Sequence, residues 1–130
     1  MDLVKADIIA SLSANADLIV LLANSRAIYP NHLSAVENPV YPCITISTNS
    51  LETMITRLSD EGIYQLDIWS KSSNDELWEI YNLVKQIINL KPLSNGVFFM
   101  RQISVNDDLF ENDTHTFHLA SKYKTFCNPL

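Results

Sequence analysis

The sequence predicts an α+β domain, a mostly antiparallel sheet with helices packed on it, in the order α-α-β-β-β-α-β-β. Two adjoining segments carry this prediction. Within residues 63–70, polar Gln65 and Asp67 alternate with apolar side chains, the period of two that a half-buried strand requires. Directly after them, apolar residues recur at the spacing of a helix that lies on a sheet. The strand face is Tyr64, Leu66 and Ile68, and the helix stripe is Leu77, Ile80, Tyr81, Val84, Ile87 and Ile88.

Two helices are predicted before the sheet begins. Asp2 can cap the first helix and Asn15 the second, because both side chains can accept a hydrogen bond from a free N–H of the first turn. The helical region ends near Asn24. The first apolar stripe is Val4, Ile8 and Leu12, and the second is Leu18, Ile19, Leu21 and Leu22.

Two short strands follow the helices. Residues 26–30 predict a strand that Pro30 ends, since proline cannot donate a hydrogen bond to a neighbouring strand. A loop runs to Pro39, and Pro42 then fixes the entry to a second strand, Cys43–Ser47, whose β-branched residues favour a sheet.

The stretch between Ser47 and Gly62 is polar but carries four apolar residues at helix-like spacing. Two interpretations are open: these side chains cover the domain's own core, or they form an arm that docks onto a partner, as long functional loops often do. The candidate partner-docking residues are Leu51, Met54, Ile55 and Leu58.

The last three elements are a long helix and two strands. Ser73 and Glu76 stand at capping-box spacing and predict the start of a helix over residues 74–90. The turn Asn95-Gly96 then leads into a strand over residues 97–105. The final strand has Phe117, Leu119 and Tyr123 on one face and Thr116, His118, Lys122 and Lys124 on the other.

Composition excludes several classes of protein. At 130 residues and 47% hydrophobic content, the chain is sized for a single domain, residues 1–130. The net charge of −6, with nine basic and fifteen acidic residues, argues against a protein that grips nucleic acid by its phosphates. The longest apolar run, Leu18–Ala23, is far shorter than the roughly 20 residues of a membrane span, and no basic leader is seen. We therefore expect a soluble, unexported protein.

No pattern of reactive residues predicts catalysis. Cys43 and Cys127 lie far apart and are expected to be ordinary reduced thiols. His115 and His118 are three apart, a spacing that sends side chains to opposite faces of a strand. Only two glycines occur, too few for a glycine-rich phosphate-binding loop. We expect no enzyme activity, no cofactor and no metal ion.

Four acids within seven residues form the densest charge cluster, the acidic stretch, in the predicted connection between the last two strands. They are Asp107, Asp108, Glu111 and Asp113. Their order is not that of a calcium-binding loop. A solvated hairpin tip is the simplest interpretation, and an electrostatic role is the alternative.

The two tryptophans lie near the junction of the third strand and the long helix. Trp78 flanks the apolar stripe of the helix and is expected in the core. Trp69 is a candidate interface aromatic, because exposed tryptophans often dominate the binding energy of protein interfaces.

Taken in order, these segments resemble the tail-completion, or head-to-tail joining, proteins of long-tailed bacteriophages. The likeness covers most of the chain, and the junction Asp67–Ser70 with its capped helix is the most specific part. The matching segments are Leu18–Leu22, Ile28–Pro30, Tyr41–Ile46, Leu66–Ser70 with the helix through Leu90, and His118–Tyr123.

The resemblance implies a structural virion protein without catalysis. Such proteins are expected to form a hexameric ring that ends the tail tube and joins it to the head, while DNA crosses the central hole. The implied partners are further copies of the chain, the tail-tube protein and the head connector or stopper protein. DNA would pass without sequence-specific binding. The implied location is the head–tail junction of the virion, after synthesis in the host cytoplasm.

Two hypotheses follow from the resemblance. The acidic stretch faces the lumen of the ring and keeps DNA from adhering by like-charge repulsion. The four apolar residues between 51 and 58 dock onto the tube or the connector. Three other readings remain open: a different neck or tail-tube assembly protein, a cytoplasmic ligand-binding module, and a small hydrolase.

Overall fold

A computed structural model describes residues 3–24, 26–31, 33–49, 62–94, 96, 98–112 and 115–127. The elements are α1 (Leu3–Ser13), α2 (Ala16–Leu21), β1 (Ile28–Tyr29), a 3-10 turn (Leu33–Ala35), β2 (Cys43–Asn49), β3 (Gly62–Ser70), α3 (Asn74–Ile88), β4 (Phe98–Glu111) and β5 (Thr116–Cys127). This order confirms the predicted α+β class and the predicted succession of helices and strands.

The five strands form one sheet in the order β1-β2-β3-β5-β4. β1 runs parallel to β2, and every other pair of neighbours is antiparallel. The register places Thr45 beside Asp67, and Asp67 beside Ala120 of β5. In the described part of the sheet, β1 and β4 are therefore the two outer strands.

All three helices lie on one face of the sheet, where α3 packs against β3, β4 and β5 while α1 and α2 pack against α3. Each completely buried leucine or isoleucine there stabilises the fold by about 1.5–3 kcal/mol relative to exposure. The core includes Ile8, Leu12, Leu66, Ile68, Ile80 and Leu119. We call the other side, on which Thr45, Asp67 and Ala120 lie, the open face, because no described helix covers it.

Hydrogen bonds of serine side chains organise the short connection between β3 and α3. The Ser73 hydroxyl accepts a hydrogen bond from the Glu76 N–H at 3.2 Å, which is the expected cap. The return bond is relayed, since the Ser70 hydroxyl donates to Glu76 Oε1 at 2.6 Å and accepts from the N–H of Ser72 at 3.0 Å and of Ser73 at 3.4 Å. The last residue of β3 thus helps to start α3.

The other predicted cap that the structure describes is also present. The Asn15 side chain accepts a hydrogen bond from the Leu18 N–H at 2.9 Å and begins α2. Asp2 lies outside the described residues, as does Asn95 of the predicted turn before β4. Gly96 has a positive φ of 75°, a conformation that glycine adopts without steric cost.

The predicted end of β4 was wrong. The sequence predicts a strand over residues 97–105, but β4 continues to Glu111. Its pairing with β5 shifts register twice, between Gln102 and Ser104 and again between Asn106 and Leu109. Each shift is a bulge that changes which residues face the helices, so the alternation along the strand is broken although the pairing continues.

This longer strand changes the setting of the acidic stretch. Asp107, Asp108 and Glu111 belong to β4 rather than to the connection after it. Asp113 lies outside the described residues. Acidic side chains on a strand alternate between two environments, so a shared position in the sequence does not give these residues a shared surface.

No helix among the described residues is both long and apolar enough to span a membrane, the longest being α3 with 15 residues.

Candidate interaction surfaces

Two members of the acidic stretch reach different faces of the sheet. Asp107 turns toward the helices, and its Oδ2 accepts a hydrogen bond from Trp78 Nε1 at 3.1 Å. Glu111 lies on the open face, where its Oε1 is 3.5 Å from His118 Nδ1. The bulge between Asn106 and Leu109 accounts for the difference, since it reverses the alternation between the two acids. These two carboxylates therefore belong to separate surfaces.

Trp69 lies inside the chain rather than on its surface. Only 4% of the residue is exposed, and its Nε1 donates a hydrogen bond to the Thr45 hydroxyl at 2.9 Å. The indole stacks on the His118 ring with centroids 3.8 Å apart and planes 8° from parallel. The sequence suggested that Trp69 is an exposed interface aromatic, but the residue is buried. Thr45 of β2 lies on one side of it and His118 of β5 on the other.

A buried polar cluster surrounds the Trp69 ring on the open face. His118 Nε2 lies 2.6 Å from Asp67 Oδ1. The Gln65 side chain donates to both oxygens of Asp67, at 2.9 and 3.2 Å. Burying a carboxylate is unfavourable unless hydrogen bonds replace its water, and Asp67, 2% exposed, receives them from two side chains. We call Thr45, Gln65, Asp67, Trp69 and His118 the polar cluster.

The polar cluster holds its imidazole in place rather than presenting it to a substrate. Nε2 of His118 faces Asp67, and one side of its ring is covered by Trp69. The cluster ties β2, β3 and β5 together, and Glu111 brings β4 close to it. Its arrangement is that of a structural network.

The opposite end of the open face carries a second arrangement that sequence reasoning missed. Phe99 and Phe126 stack with centroids 5.3 Å apart. The Arg101 guanidinium lies 5.6 Å from the centre of the Phe126 ring, and the Lys124 ammonium 5.5 Å from it. Lys122 lies two residues before Lys124 on β5, on the same face of the sheet, and is paired with Ser104 of β4. We call Arg101, Lys122 and Lys124 the cationic patch.

Only the alternation of Lys122 and Lys124 was visible in the sequence. Their proximity to Arg101 depends on pairing between β4 and β5, where Arg101 stands opposite Lys124. A turn signal before β4 did not fix that register, because the bulges shift it twice.

The outer edge of β4 is the third candidate surface. Within the described sheet β4 has a neighbour on one side only, β5. Three apolar residues of this strand are exposed, namely Ile103 at 45%, Val105 at 37% and Phe110 at 46%. An outer strand with apolar side chains can pair with another chain.

The candidate docking residues Leu51, Met54, Ile55 and Leu58 lie outside the described residues. The segment that contains them joins Asn49 to Gly62. Asn49 pairs with Ile63, and Ile63 pairs with Lys124 of the cationic patch. Both ends of the segment therefore meet the sheet at the cationic end of the open face.

An open sheet face, an outer strand and separate charged regions on a small two-layer domain are features of a protein subunit that assembles with others. The chain belongs to the tail completion protein family, because the sequence profile of tail completion protein gp17 matches residues 6–127. This confirms the family that the sequence resembled. The chain is a structural protein of a bacteriophage virion, and it takes part in completing the tail.

A solved chain from the virion of a native gene transfer agent (GTA) particle has a similar fold. The two structures superpose with a TM-score of 0.69 over 96% of this chain and 94% of that chain. Their sequences are 9% identical, so this likeness shows the fold alone. A comparison with curated protein sequences finds no match.

Proposed function

We propose that the chain forms a hexameric ring at the head-proximal end of the tail tube, terminates the tail and joins it to the head connector, with DNA crossing the lumen. The observation that carries this proposal is the tail-completion match over residues 6–127. A joint of this kind needs surfaces for association and no catalytic residues, and the polar cluster fits a structural role.

A closed ring requires each subunit to present two different surfaces, one for each neighbour. The subunit has a helical side and an open face, and β4 supplies an outer edge whose exposed residues include Ile103 and Phe110. These surfaces differ from one another, as the two sides of a ring contact must. We propose that residues 1–130 act as one domain in it.

Of the acidic stretch, Glu111 remains our candidate for the lumen of the ring, because Asp107 turns to the helical side of the sheet. Half of the Glu111 side chain is exposed, at 50%, and no lysine or arginine ion pair involves it among the described residues. Closed symmetry would repeat this charge around the hole and repel the phosphates of passing DNA. Leu51, Met54, Ile55 and Leu58 remain our candidates for contact with the tail tube or connector.

Immunogold electron microscopy of virions with an antibody to this chain tests the proposal. We expect label at the head–tail junction. Label along the tube or elsewhere on the particle would identify a different neck or tail-tube protein and contradict the terminator role. Particles without label, with the chain only in host cytosol, would contradict a virion role and favour a ligand-binding module.

A further inference from the structure

We propose that neighbouring copies of this chain associate head to tail, the cationic patch of one copy docking on an acidic surface around Trp78 of the next. The acidic surface consists of Asp75, Glu79 and Asp107. This inference rests on the proposed ring, and it names the two faces that meet within it.

The cationic side of the contact depends on Arg101 and Lys122, which are both exposed. The Phe126 ring lies beside the Arg101 guanidinium and limits its freedom, which lowers the entropy lost when a partner binds. Lys124, which is paired with Arg101 across the two strands, adds positive charge to the cationic patch. The described residues directly opposite Arg101 and Lys122 on the neighbouring strands are Lys124, Ser104 and Gln65, and none of them is acidic.

The acidic side lies on the helical layer. Asp75 and Glu79 are one helical turn apart and both exposed, so they share a side of α3. Trp78 lies between them in the sequence and holds Asp107 through its Nε1. The described residues provide no ion pair to any of these three acids.

The helix dipole of α3 accounts for only one of the three acids of this surface. Asp75 in the first turn is favoured by the positive end of the helix dipole. Glu79 lies beyond the first turn, and Asp107 comes from β4, so that effect does not explain their charges. Like charges that gather without a base raise the energy of an isolated subunit, and a cationic partner would remove this cost.

The placement of the two surfaces favours a second copy as the partner. The cationic patch is on the open face and the acidic surface is on the opposite, helical side. Two copies related by a two-fold axis would bring cationic patch against cationic patch, whereas head-to-tail copies bring opposite charges together. DNA is also polyanionic, but the net charge of −6 opposes its approach.

Charge reversal tests the contact through tail completion in cells that lack the wild-type chain. One variant combines Arg101→Glu with Lys122→Glu, and the other combines Asp75→Lys with Glu79→Lys. We expect each alone to lower the number of tailed particles about tenfold, because like charges then meet at every contact. Expressed together they should restore tails, since each reversed face finds an oppositely charged one on the other variant.

The matched control reverses two exposed lysines outside both surfaces, Lys85→Glu with Lys91→Glu, and should complete tails normally. Circular dichroism melts establish that every variant folds. Normal tails from the Arg101→Glu, Lys122→Glu variant would overturn the proposed contact while leaving the ring function intact. Failure of the wild-type chain to complete tails would instead contradict the proposed function.

Two results distinguish a second copy of the chain from DNA as the partner of the cationic patch. Absence of rescue by the paired variants would overturn the head-to-tail contact. Fluorescence anisotropy with a labelled DNA duplex is measured in parallel. Binding of DNA by the wild-type chain that is lost in Arg101→Glu, Lys122→Glu would identify DNA as the occupant and likewise overturn the proposal.

Discussion

At one end of the open face the Trp69 ring stacks on His118 at 3.8 Å, and at the other the Arg101 guanidinium lies 5.6 Å from the centre of the Phe126 ring. The first pair is buried, and each ring has a partner in the same chain: Nε2 of His118 lies against Asp67, and Nε1 of Trp69 donates to Thr45. The second end keeps its cation exposed. Similar chemistry therefore stabilises the fold at one end and remains available to a partner at the other.

Removing the ring at the buried end should have the largest effect on stability. Trp69→Ala leaves a cavity and strips one side of His118, so we expect a loss of about 3–5 kcal/mol in the free energy of unfolding. Urea denaturation followed by circular dichroism measures it. A loss below about 1 kcal/mol, the size of a typical surface change, would contradict a supporting role for the ring.

The carboxylate of the polar cluster should come second. Asp67→Ala removes the acceptor for His118 and Gln65, and hydrogen bonds to a charged group contribute about 1.5–3 kcal/mol. We expect a loss in this range by the same urea assay. Glu111→Ala is the matched control, because that carboxylate is half exposed and should cost much less. Equal losses for both variants would refute a special role for the buried acid.

The third prediction concerns the buried thiol of Cys43, which is paired with Trp69 and should be protected from alkylation. Burial raises the pKa of Cys43 to about 12 from 9.0. Above pH 9.0 the Cys43 thiol therefore loses its proton more readily in the unfolded chain than in the folded one. The contribution of this thiol to the free energy of unfolding falls as the pH rises above 9.0. In a Cys127→Ser variant we expect iodoacetamide to label Cys43 at pH 8 only as fast as the chain unfolds. Rapid labelling that urea does not accelerate would contradict this protection.

The smallest effect on stability belongs to the cationic end. Arg101→Ala should change the free energy of unfolding by no more than about 0.5 kcal/mol, the usual range for an exposed side chain. The same variant should reduce tail completion if this end is used for association. A large loss of stability would show that Arg101 serves the fold, and the distinction between the two ends would fail.

The polar cluster illustrates the limit of periodicity as a guide. Alternation along β3 correctly separated Asp67 from Leu66 and Ile68, but a polar residue opposite the core face would ordinarily meet solvent. Its burial depends on His118, which is 51 residues away in the sequence. That contact requires β5 to lie beside β3, a strand order that local patterns do not specify.

The sequence by itself determined the order of helices and strands, the caps at Asn15 and Ser73, and the likeness to tail-completion proteins. Each element and each cap depends on neighbours within a few residues, where propensity and hydrogen bonding act directly, and the likeness is the succession of these elements along the chain. Only the tertiary structure decided that Trp69 is buried, that Asp107 and Glu111 separate, and that Arg101 joins Lys122. Strand order and bulges bring distant residues together, and neither leaves a local signal strong enough to fix the register.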